Sequence, residues 1–70
     1  MPDDATIRYV VTCSDLAAAR RAAGSLGIAI DDEMGALGLL TVRATARLAA
    51  RLAASPGVEA VEPEGMMRTQ

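Results

Sequence analysis

Twice along these 70 residues a two-residue alternation of apolar side chains gives way to a helical spacing and then returns. That double switch leaves few ways to fold the chain. From Thr6 to Cys13 the residues Ile7, Tyr9, Val11 and Cys13 fall on one side, and Thr6, Arg8, Val10 and Thr12 on the other. The β-branched and aromatic content predicts a strand with its odd-numbered side toward a core. Ser14 or Asp15 can cap the helix that follows, in which Leu16, Ala19, Ala23 and Leu26 recur at helical spacing while Arg20 and Arg21 look outward. Gly27 suits the left-handed residue that closes such a helix. Ile28 and Ile30 open a second strand, expected to give out in a solvated acidic turn at Asp31-Asp32-Glu33, with Gly35 and Gly38 completing the reversal.

The signals then repeat. Leu39 to Ala44 places Leu40, Val42 and Ala44 on one face and Leu39, Thr41 and Arg43 on the other. Thr45 is the expected N-cap of a second helix, with Leu48, Ala49, Leu52 and Ala53 as its apolar stripe and Arg47 and Arg51 one turn apart on another face. Ser55-Pro56-Gly57 ends that helix. Val58 to Glu62 reads as the fourth strand, which Pro63 stops or confines to a sheet edge. The order β-α-β-β-α-β predicts an α+β, ferredoxin-like sandwich: a four-stranded antiparallel sheet with two helices on one face. The opposite face, bearing Val10 and Leu39, is left to solvent or to a partner.

Length and composition bound what such a domain can do. Seventy residues make one domain, and its large aliphatics are seven Leu, three Ile and five Val. Each contributes about 1.5–3 kcal/mol when fully buried, against about 1–2 kcal/mol of backbone entropy for every ordered residue, so the expected stability is modest. A net charge of −2 and a single aromatic, Tyr9, argue against a nucleic-acid partner. With no histidine and one cysteine, neither a zinc site nor an intramolecular disulfide is expected. Cys13 reads as a small hydrophobe, since no neighbouring base is in sight to activate it. Asp31-Asp32-Glu33 lacks the alternating oxygen ligands and glycine of a calcium loop. The absence of a glycine-rich phosphate motif completes the expectation of a binding protein, not an enzyme, with no cofactor. The opening Met1-Pro2-Asp3-Asp4 has no signal-peptide pattern. The chain as written is therefore expected to be cytoplasmic, or secreted if a signal has been removed, with no membrane partner.

Several pieces then line up. The aliphatic strand Arg8-Tyr9-Val10-Val11-Thr12-Cys13, the helix end at Leu26-Gly27, the strand start at Gly38-Leu39 and the break at Ser55-Pro56-Gly57 precede Val58-Glu59-Ala60-Val61-Glu62-Pro63-Glu64-Gly65 and the tail Met66 to Gln70. In this order and spacing the whole chain resembles the subtilisin propeptide family, inhibitor-and-chaperone domains of subtilisin-like serine proteases. The resemblance implies an inhibitor domain over residues 1–65 and a substrate-mimicking tail over 66–70. In that family the closing strand ends in a valine, an acid and, two positions on, a second acid. Here these are Val61, Glu62 and Glu64. The two acids cap surface helices of the protease from outside, so Glu62 and Glu64 are the implied capping residues, although Glu64 stands where Asp is frequent and Pro63 stiffens the segment. The resemblance further implies that Met67, Arg68, Thr69 and Gln70 lie in the protease cleft with the terminal carboxyl at the catalytic serine, Met67 filling a large apolar pocket. The implied partner is a subtilisin-like serine protease, and the free chain is expected to be a monomer. The alternative is a small ferredoxin-like regulatory or assembly module that pairs with itself.

Overall fold

A computed structural model describes residues 5–64 of the chain. The elements are β1 (Ile7–Cys13), α1 (Leu16–Ser25), β2 (Ala29–Met34), β3 (Leu39–Ala44), α2 (Ala46–Ala53) and β4 (Val58–Pro63), with a short 3-10 turn at Gly35–Leu37 between β2 and β3. The strands form one antiparallel sheet in the order β2-β3-β1-β4, the ferredoxin-like arrangement.

Local chemistry explains the boundaries. The Asp15 side chain accepts a hydrogen bond from the Ala18 N–H at 3.1 Å and so caps α1. Thr45 Oγ1 accepts from the Leu48 N–H at 3.2 Å and caps α2. Past α1, Gly27 turns the chain at φ 72°, and Gly38 does the same at φ 67° where the 3-10 turn enters β3. Gly57 carries a third positive φ, 85°, and its carbonyl accepts from the N–H groups of Ser14 at 2.9 Å and Asp15 at 3.2 Å. That pair of bonds ties the α2-to-β4 turn to the start of α1.

The core lies on one face of the sheet. Register pairs Tyr9 with Val42 and Val11 with Leu40, all buried, and over them lie Ala19 and Ala23 of α1 with Ala49 and Leu52 of α2. Because the buried residues of each strand are two apart and pair with one another across the ladder, they share one face, which both helices cover. The expected alternation in β1 and β3 is thus the observed one, except that Ile7 at the sheet's end is 47% exposed and Thr41, on the other face of β3, is buried. Ala53 is also exposed, leaving Leu48, Ala49 and Leu52 as the inward stripe of α2.

Strand β2 departs from the sequence reading. It begins at Ala29, not Ile28, and runs through Asp31-Asp32-Glu33 to Met34, so the acidic triplet is strand and not turn. All six residues are exposed. An acid-rich segment is a poor strand former in isolation, but this one is an edge strand whose outer side meets water. Register slips between Ile30 and Asp32, a bulge at Asp31. Arginines from three other segments then meet the acids: Arg20 reaches Glu33 at 2.9 Å, while Arg43 and Arg8 approach Asp31 at 2.9 and 3.5 Å.

Candidate functional site

The sheet face turned away from the helices is built by the other parity of each strand. Its rows, read across β2, β3, β1 and β4, are Asp32, Thr41, Val10, Glu62 and then Met34, Leu39, Thr12, Ala60. Beside them lies a row beginning Ala29, Arg43, Arg8, which Glu64 completes by donating its N–H to the Arg8 carbonyl at 2.9 Å. Val10 and Leu39 are therefore on the open face as expected, both half-buried by their neighbours. Thr41 between them is only 7% exposed. The face is apolar toward Met34 and Leu39 and charged toward Arg8 and Arg43.

Glu62 and Glu64 sit next but one to each other at the end of β4, both exposed and both on this face. Their electrostatic surroundings differ. Glu62 lies opposite Val10 and has no ion-pair or hydrogen-bond partner among the described residues. Glu64 is gripped twice by Arg8, through the backbone bond and through an ion pair of 3.1 Å between Arg8 Nε and Glu64 Oε1. Sequence reasoning assigned the two acids one shared role and missed this distinction.

Arg8 and Arg43 occupy directly opposed positions on β1 and β3, an arrangement that repels unless an anion intervenes. The Asp31 carboxylate, carried inward by the bulge, is that anion. A line of alternating charge thus runs from Arg43 through Asp31 and Arg8 to Glu64. These side chains are 26–58% exposed, so each pair is worth about 0.2–1 kcal/mol and fixes position more than it stabilises. The only local sign of this cluster in the sequence is that Arg8 and Arg43 share parity with Val10 and Leu39.

Met67, Arg68, Thr69 and Gln70 lie outside the described residues, as does the boundary between an inhibitor domain and its tail. Cys13 is half-buried beside β4, its Sγ 3.7 Å from the Val11 carbonyl. Burial first, then the nearby Glu33 and Glu59 carboxylates, push its thiol above the ordinary range. Among the described residues no group of three His, Cys, Asp or Glu side chains could hold a metal ion, and no helix is long and apolar enough to cross a membrane. Compared with protein-family models, curated proteins and solved structures, the chain has no match.

Proposed function

We propose that this chain inhibits a subtilisin-like serine protease by product mimicry, and that it can act as a folding chaperone for it. The observation that carries the reading is the placement of Glu62 and Glu64 together on the open sheet face, at the strand end from which the last six residues, 65–70, continue. A carboxylate held at the N-terminus of another protein's helix meets free N–H groups and the positive end of the dipole. Each such contact contributes about 0.3–1 kcal/mol when exposed and up to about 2 when partly buried. Glu62, whose side chain has no partner among the described residues, is ready for that role; Glu64 must exchange Arg8 for the helix.

On this reading Met67 to Gln70 bind as an added strand in the protease cleft, main-chain pairing giving affinity and side-chain pockets giving selectivity. Burial of Met67 is worth about 1.5–3 kcal/mol, more than either acid at an exposed site. A free tetrapeptide would lose much of this to ordering, whereas a tail anchored on a folded domain does not. Self-association is the competing reading. The edge strand β2 opposes it only through the acids Asp31, Asp32 and Glu33 along its length, of which Asp31 and Glu33 are already paired with arginines.

The test is a titration of the full chain into a subtilisin cleaving a chromogenic peptide, beside a version ending at Met66. Competitive inhibition that disappears on truncation supports the mechanism. Undiminished potency without Met67 to Gln70 refutes it.

A further inference from the structure

Charge is divided between the two layers of this domain. Helices α1 and α2 carry Arg20, Arg21, Arg47 and Arg51 and no acid. The strands and the residue closing β4 carry Asp31, Asp32, Glu33, Glu59, Glu62 and Glu64 against Arg8 and Arg43 alone. A net charge of −2 therefore hides a basic layer backed by an acidic one.

Within the basic layer a groove of about 380 Å³ opens where α1 and the end of α2 diverge. Its apolar lining is Ala18, Ala22, Leu26 and Pro56. Arg21 and Ser25 border it from α1 and Ser55 from the turn after α2. Helical spacing sets Arg47 and Arg51 one turn apart on α2, and the Ser55 hydroxyl, in the turn beyond, donates to the Arg51 carbonyl at 3.0 Å. Arg20 is neutralised by Glu33, but Arg21, Arg47 and Arg51 have no carboxylate partner among the described residues. Arg21 thus borders the apolar recess itself, with Arg51 bonded through its carbonyl to Ser55 on the rim and Arg47 one turn further along α2, three guanidinium groups without a carboxylate partner among the described residues.

We infer that this groove docks a short acidic segment of a partner protein, one whose carboxylates alternate with aliphatic side chains. The aliphatic groups fill the recess and the carboxylates meet Arg21, Arg51 and Arg47, geometry that guanidinium groups serve well. Two other polyanions fit less well. A bilayer surface is bound by apolar side chains that project, and here they line a hollow. Single-stranded nucleic acid calls for aromatic stacking platforms, and the single aromatic, Tyr9, is in the core. The groove is on the helix side, so it is independent of the protease reading and of the open sheet face.

The experiment is an amide-resolved NMR titration of the full chain with an acetylated hexapeptide of alternating glutamate and leucine. Its arms are a lysine-leucine hexapeptide, vesicles containing phosphatidylglycerol, and the double variants R21E/R51E and R21Q/R51Q, each checked for an unchanged fold by circular dichroism. We expect shifts confined to the amides of Ala18, Ala22, Ser25 and Ser55, with affinity falling about tenfold in the Gln variant and further in the Glu variant, and falling with added salt. No shifts at those amides, equal binding of the lysine peptide, equal binding by the reversed variant, or tighter binding to the vesicles than to the peptide would each overturn the inference.

Discussion

Replacing Gly57 with alanine tests the packing that joins the two halves of this fold. At φ 85° an L-residue costs about 1–2 kcal/mol relative to glycine before any contact is considered. The added Cβ would then lie 2.7 Å from both the Ala18 Cβ and the Asp15 carbonyl oxygen, and 3.1 Å from the Ala19 nitrogen. Two of these three obstacles are backbone, so relief requires the start of α1 to move. Such overpacking costs about 1–3 kcal/mol and weakens the bonds from Ser14 and Asp15 to the Gly57 carbonyl. The expected loss is about 2–5 kcal/mol, set against a whole-domain stability on the order of 4–10 kcal/mol for a chain of this length. Urea titration followed by far-UV circular dichroism should show the midpoint lowered by about 2 M or more, given a slope near 1 kcal/mol/M for so small a protein. Gly24→Ala is the matched control: that glycine is inside α1, has ordinary φ, and has nothing within 4 Å of an added Cβ. It should stabilise by about 0.5–1 kcal/mol. A Gly57→Ala variant within about 0.5 kcal/mol of the parent chain, a span typical of neutral surface changes, would refute the reasoning.

Other outcomes follow from the caps, the charge line and the thiol. Asp15→Ala and Thr45→Ala should each lower stability by about 1 kcal/mol in the same urea assay, and nearly additively, because the caps serve different helices. Arg8→Gln should leave stability within about 1 kcal/mol, yet the amide of Glu64 should exchange faster with solvent, since the side chain that gathers the strand end is gone. Unchanged Glu64 exchange would show that the backbone bond alone holds that residue. For Cys13 the folded thiol binds its proton more tightly than the unfolded one, so stability falls as pH rises past the ordinary thiol range and is unaffected below it. Iodoacetamide should accordingly modify folded Cys13 more slowly at mildly alkaline pH than it does the urea-unfolded chain; equal rates would contradict the burial.

The parts of the fold that sequence makes legible are those decided within a few residues. Asp15 and Thr45 announce helices because each capping bond spans three positions, and β1 and β3 are read from alternation because one side of each packs against Ala19, Ala23, Ala49 and Leu52. Glu62 and Glu64 share a face for the same reason, a period of two. The extent of β2 is hidden, because what makes Asp31-Asp32-Glu33 tolerable as strand is supplied by Arg8, Arg20 and Arg43, none of them closer than twelve positions in sequence to the acid it meets and all brought in by tertiary structure. The unequal standing of Glu62 and Glu64 is hidden likewise, since it depends on a cross-strand neighbour. The interhelical groove depends on where two helices part, a distance no local pattern encodes.

The helix side of the core is built chiefly from Ala19, Ala23 and Ala49, and among the described residues only Leu40, Leu52, Val11 and Val42 are large and fully sealed. Small side chains let the helices settle close to the sheet, in a domain only 19 Å through its shortest axis. Little apolar surface is then hydrated on unfolding, so the heat-capacity change should sit at or below the usual ~12–15 cal/mol/K per residue. The stability curve becomes low and flat, varying little between refrigerator and body temperature, and the calorimetric melt is broad. For such a curve a small vertical shift moves the melting point a long way. A partner present at about a hundred times its Kd adds about 2.7 kcal/mol. In this protein that increment would appear as an unusually large rise in Tm, making the thermometer a sensitive detector of whatever the domain binds.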